Sequence, residues 1–192
     1  VHRARRDHFR ALGVALGAAL VVPVVAFGST PGTAAATPTS NEIASVPSCG
    51  DTFADSRHPT RVNGAAKSVL LAEPKTLRGY YCFDTASTPS SVESAVLSLT
   101  VTKGGSYVRI APVRASWSER SLTWRNAPPT NGPGFVVALR QGVNRIDIRN
   151  LLVPGGRTSF AISAAKGGFE VISSRESSQA PVLVATVAAQ AK

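Results

Sequence analysis

Ser94-Ala-Val-Leu-Ser-Leu-Thr-Val-Thr102 alternates an apolar series (Ala95, Leu97, Leu99, Val101) with a polar one (Ser94, Ser98, Thr100, Thr102). A period of two places the first series on a buried face and the second on a wet one, which is the pattern of a half-buried strand. The same reading extends in both directions. Tyr81 and Phe83 alternate with Arg78, Tyr80, Cys82 and Asp84, and the pairs Phe160/Ile162 and Phe169/Val171 repeat the pattern. Strands are expected over 51–55, 67–72, 78–84, 93–102, 106–113, 134–139, 143–148, 158–164, 169–174 and 181–187. Turn signals separate them at Lys103-Gly-Gly105, Asn131-Gly-Pro-Gly134, Pro154-Gly-Gly156 and Lys166-Gly-Gly168. The one helical candidate is 147–153, a turn or two before Pro154. Many short strands at this spacing give an all-β chain, a β-sandwich of the jelly-roll kind.

The chain has 192 residues, enough for one domain with a sizeable core. Its formal charge is +10, from 21 Lys and Arg against 11 Asp and Glu. Arg3, Arg5, Arg6 and Arg10 against Asp7 put +3 of that in the first 36 residues and leave +7 on the rest, a balance that favours anionic partners. Those first residues read as a secretory signal peptide: a basic segment, an uncharged apolar run from Leu12 to Phe27, and Ala34-Ala-Ala36 as the cleavage site. The run is shorter than a comfortable membrane span, so no stable membrane insertion is expected after cleavage. Arg5-Arg6 followed by Phe9 is a loose twin-arginine signal. Val1 is read as a translated alternative start codon. Residues 37–48, rich in Thr, Ser and Pro, form a flexible lead-in; 49–188 form the domain; 189–192 are a tail. The product is expected to be a secreted monomer, free or held at the cell surface.

Cys49 and Cys82 are the only cysteines. In an exported chain a lone pair is a disulfide, here tying the start of the first predicted strand to the middle of the third. Zinc is disfavoured because His58 is the only histidine beyond the leader. Asp51 and Asp55 are a thin donor set for a structural Ca²⁺, which takes six to eight oxygens. No cofactor is otherwise expected.

Both tryptophans lie in Trp117-Ser-Glu-Arg-Ser-Leu-Thr-Trp124-Arg-Asn-Ala-Pro-Pro129. Two large aromatics seven residues apart describe a structured crossing loop rather than a linker. Four further segments accompany it in order: Asp51-Thr-Phe53, Val62-Asn-Gly64, Arg78-Gly-Tyr-Tyr-Cys-Phe-Asp84 and Ser94-Ala-Val-Leu-Ser-Leu99. Ser173-Ser-Arg-Glu176 completes the set. Together, across 51–187, they resemble the DNRLRE domain, which overlaps carbohydrate-binding module family 96. Cys82 and Arg125 are small departures. The resemblance implies a β-sandwich that binds acidic glycans such as alginate through basic residues on a sheet, and it carries over Asn63, Arg78 and Arg175.

The residues themselves leave several functions open. Arg presents a planar fork that pairs with carboxylate through two hydrogen bonds. Arg78 and Tyr80 share the outward face of strand 78–84. Lys67 begins the neighbouring strand, Arg57 and Asn63 lie on the loop between the first two strands, and Arg175 ends a strand near the C-terminus. These six are the candidate ligand contacts. The competing reading gives Arg175 an ion pair with Glu176 and Asn63 a turn to hold, and makes the protein a structural or adhesive module without a sugar site. A polysaccharide lyase is the enzymatic alternative, drawing on Arg78, Tyr80, Tyr107 and His58 to neutralise a uronate and move a proton. No G-x-S-x-G elbow and no evident carboxylate pair supports a hydrolase. Nucleic acid is disfavoured because the basic residues are scattered, with no row of stacking aromatics.

Overall fold

The computed structural model describes residues 42–187 except Pro74. The leader, the first residues of the lead-in and the C-terminal tail lie outside the described residues. Eleven strands are present among them: β1 (Glu42–Val46), β2 (Ser48–Asp55), β3 (Ser68–Leu71), β4 (Leu77–Thr85), β5 (Val92–Lys103), β6 (Tyr107–Pro112), β7 (Phe135–Ala138), β8 (Gly142–Asp147), β9 (Gly156–Ala164), β10 (Glu170–Ser173) and β11 (Val182–Val187). Every pairing is antiparallel. One sheet runs β1-β11-β5-β10-β3, with β8 also paired to β5; the other runs β2-β4-β9-β6-β7. The long strand β5 takes β8 on one side and β11 followed by β10 on the other.

The core lies between the sheets. Leu97, Leu99, Val101, Ile172 and Leu183 from the first sheet meet Tyr81, Phe83, Val108, Ile110, Phe160 and Ile162 from the second. Tyr81 and Phe83 each stack on Phe160, with ring centroids 5.8 and 6.1 Å apart. The β-sandwich expected from period-two patterning is therefore the fold, and each of the ten expected strands is found with shifted ends.

Three readings are corrected. Glu42–Val46 is not flexible lead-in; it pairs with β11 as an edge strand. The helical candidate at 147–153 is only a single 3₁₀ turn at Arg149–Leu151, because β8 continues through Asp147. Lys67 does not begin a strand beside β4: it immediately precedes β3, which belongs to the opposite sheet. The chain crosses between sheets after β2 and again after β3, and that alternation has no local signature. Cys49 and Cys82 are joined, and they link the adjacent strands β2 and β4 rather than two sheets.

Candidate functional site

The outer face of the second sheet, the face turned away from the core, carries Ala54, Tyr80, Cys82 and Ala161 at its centre. None of them is wet. The Trp117–Pro129 loop folds across them and forms a second apolar cluster with Trp117 and Leu122, against which Trp124 and Ala127 pack. Trp117 meets Tyr80 edge-on at 5.9 Å. Tyr80 is therefore fully buried, and its hydroxyl is occupied: it donates to the Pro128 carbonyl at 3.1 Å and accepts from Arg78 at 3.2 Å. Period-two alternation located Tyr80 on the outer face correctly, but that face is covered by a distant loop. Tyr80 is removed from the candidate ligand contacts.

Several motif residues prove to build a clasp at one corner of the sandwich. Asn63 is buried and donates from Nδ2 to the Phe53 carbonyl at 2.9 Å, holding the turn after β2. A Cβ on Gly64 would strike the backbone carbonyl of Glu119, so this turn packs directly under the tryptophan loop. Arg175 follows β10; its backbone N–H donates to Asp51 Oδ2 at 2.8 Å, and its Nε lies 3.0 Å from Glu119 and 2.9 Å from Glu176. Ser174 Oγ donates to the Ala66 carbonyl at 2.7 Å. Asn63 and Arg175 thus join β2, the tryptophan loop and the turn after β10. Arg57 pairs with Asp55, which also accepts from His58. Lys67 is exposed but stands just before β3 of the other sheet.

The clasp makes the fold sensitive to pH. Burial pushes the Asp51 carboxyl up to about 7; Glu176 and Glu119 raise it further, while the Arg175 backbone N–H and guanidinium oppose them. Its Oδ1 is buried with no hydrogen-bond partner among the described residues. The unfolded chain releases this proton near 4, whereas the folded chain keeps it to about 7. Between those values the folded state binds more protons, so this group's contribution to stability falls as pH rises. Asp51→Asn retains an acceptor for Arg175 and cannot ionise. The variant is expected to be more stable than the parent at pH 8 by at least about 1 kcal/mol, with the gap closing towards pH 4. Urea unfolding across that range is the measurement.

One end of the same outer face is only partly covered, with Arg109 exposed, Arg78 half-buried and Ser163 buried. The register Gly79↔Ile162 puts Arg78 level with Ser163, and Ser163 pairs with Arg109 on β6. Arg78 and Arg109 therefore lie in one row, two strand positions or roughly 10 Å apart at the backbone. They line one shallow dip with Thr130 and Ser163. Arg109 also borders a neighbouring hollow of about 300 Å³ with Tyr107, Val136 and Lys166. Tyr107 is 58% exposed and Val136 45% exposed. The Arg78 guanidinium sits 5.8 Å above the half-buried Trp124 ring and so spans the sheet and the loop. Arg109 and Lys166 escaped the reading of the sequence, although Tyr107 and Arg109 occupy the polar positions of a correctly expected strand. The missing information was that β9 lies between β4 and β6.

The lyase constellation is not assembled. Tyr80 is buried. His58 bonds Asp55 at the end of β2, three strand positions or roughly 14 Å across the sheet from Tyr107 on β6. Asp51 and Asp55 also do not share a calcium site: four residues along β2 separate them by roughly 13 Å, and each is engaged elsewhere. Among the described residues no group of three acidic, His or Cys side chains is placed to hold a metal.

No curated protein matches the chain. The model of carbohydrate-binding module family 96 matches residues 42–187, from the first strand to the last, and the chain belongs to that family.

Proposed function

We propose that the protein is an exported, monomeric, non-catalytic module that binds an acidic extracellular polysaccharide along the Arg78–Arg109 row. Family membership supports carbohydrate binding. The acidic preference is supported by one observation: two guanidiniums, Arg109 exposed and Arg78 half-buried, share a row at one end of a sheet, with Tyr107 and Lys166 beside them. Successive carboxylates on a uronate chain pair with guanidinium forks, and an exposed ring offers a face for a sugar. Export is supported by the basic-apolar leader and by the Cys49–Cys82 disulfide, a bond that persists in oxidising compartments.

A structural or adhesive role has support in the clasp, where Asn63 and Arg175 bond within the fold. That reading makes the protein a module without a sugar site, and absence of binding to every glycan would favour it. Calorimetry against polygalacturonate, alginate and a neutral glucan is the test. Binding is expected for the acidic polymers alone and to weaken with salt. Arg109→Ala is expected to lower affinity about tenfold, the scale of one charge-assisted contact, with little change in the unfolding midpoint, since its side-chain hydrogen bond, Nη1 to the Pro133 carbonyl at 2.6 Å, lies at the surface. Equal affinity for the neutral glucan would refute the acidic preference. Release of unsaturated uronate during the titration would refute the non-catalytic reading.

A further inference from the structure

The other end of the same outer face holds a second cationic feature. Along β9 the outward positions run Arg157, Ser159, Ala161, Ser163; Ala161 lies under the tryptophan loop and Ser163 belongs to the Arg78–Arg109 row. Arg157 therefore stands six residues, or roughly 20 Å, from that row on the far side of the loop. It borders a concavity of about 530 Å³ together with Arg114, Ser116, Asn150 and Leu152.

Arg157 is held in place. Its guanidinium lies 5.1 Å over the Trp117 ring, and one terminal nitrogen donates to the Trp117 carbonyl at 3.1 Å. Those contacts leave other donors of the fork available. Among the described residues neither Arg157 nor Arg114 forms an ion pair with a carboxylate. Partial burial destabilises the charged guanidinium; Asp84 stands opposite Arg157 in the β4–β9 register and Glu119 lines a hollow with it, but neither forms an ion pair with it. The walls are held by one backbone bond, Val113 N–H to the Ser159 carbonyl at 2.9 Å, and by two backbone N–H groups donating to side chains, Arg114 to Asn131 Oδ1 at 2.9 Å and Val153 to Thr158 Oγ1 at 2.9 Å. A cleft with two guanidiniums outside any ion pair among the described residues, a hydroxyl, an amide and an apolar wall suits an anionic group on a hydroxylated body.

We propose that this cleft is a second binding site, taking the carboxylate of one uronate unit between Arg157 and Arg114, with Ser116 and Asn150 facing its hydroxyls. The proposal rests on the acidic-polysaccharide reading and adds to it a site on the far side of the tryptophan loop. A polymer long enough to reach both sites would gain avidity from the pair.

The two tryptophans separate the sites experimentally. Trp117 lies beneath Arg157, and Trp124 beneath Arg78. The test is titration of the ¹⁵N-labelled chain with trigalacturonate, and with maltotriose as the neutral control, following both indole N–H signals. Trigalacturonate is expected to shift the Trp117 signal saturably, and maltotriose is not. Arg114→Ala, a change at an exposed side chain, is expected to weaken that shift about tenfold and leave the Trp124 response unchanged. Arg157→Gln is expected to weaken it further. A Trp117 signal that does not move, or that moves equally in Arg114→Ala, overturns the second site. If Trp124 still responds, the acidic-polysaccharide reading survives that loss; if Trp124 is silent too, both fall together.

Discussion

Trp117→Ala is expected to destabilise the protein by about 3–5 kcal/mol, the cost of emptying a core aromatic site. The residue is 9% exposed and its ring packs among Tyr80, Cys82, Val113, Leu122 and Ala161, with the Arg157 guanidinium over it. This cluster is small and lies outside the main core. Removing its largest member leaves Leu122 and Tyr80 without a common partner and exposes the centre of the sheet. Equilibrium urea unfolding is the measurement, and the midpoint is expected to fall with little change in its slope. A variant within about 1 kcal/mol of the parent that has lost glycan affinity would make Trp117 a binding platform and overturn its assignment as core. Trp124, half-buried at the loop's edge, is expected to cost less on truncation.

Replacing Cys49 and Cys82 together by Ala is expected to cost about 3–4 kcal/mol, because the bond closes a loop of about 33 residues in the unfolded chain. The folded state already holds these positions side by side through the β2–β4 ladder. The effect therefore acts mainly on the entropy of the unfolded ensemble. Unfolding of the oxidised protein, of the same protein in reducing buffer and of the double variant separates the contributions. The reduced parent and the variant are expected to agree, apart from the small difference between a thiol and a methyl in the buried Cys82 site. A loss below about 1 kcal/mol would mean that the unfolded chain keeps β2 and β4 together without the bond.

The strands were legible because each shows its own period. Ala95, Leu97, Leu99 and Val101 face the core as the alternation requires. Edge strand β1 was missed because Glu42-Ile-Ala-Ser-Val46 is short and borders a Thr- and Ser-rich stretch. The proposed binding face was less legible. Arg78 was found from its alternation and its motif, and it belongs to the row proposed as the binding site. Tyr80 has the same alternation and is buried, because a loop some 40 positions later in the chain covers it. The motif residues Asn63 and Arg175 stood out through their resemblance to a family pattern, and in the structure that pattern builds the clasp.

Alternating apolarity, the turn signals between the strands and the lone cysteine pair were enough by themselves to determine an all-β sandwich with one disulfide. Those features are local: each depends on residues within one strand or turn, or on the number of cysteines. Which basic side chains share a surface was decided only by the tertiary structure. Arg78 and Arg109 are 31 positions apart in sequence, and they fall into one row because β9, from much later in the chain, pairs with both their strands. The tryptophan loop then divides that face into a covered centre and two open ends. Strand order and loop docking come from the packing of the whole core, so no segment of the chain encodes them alone.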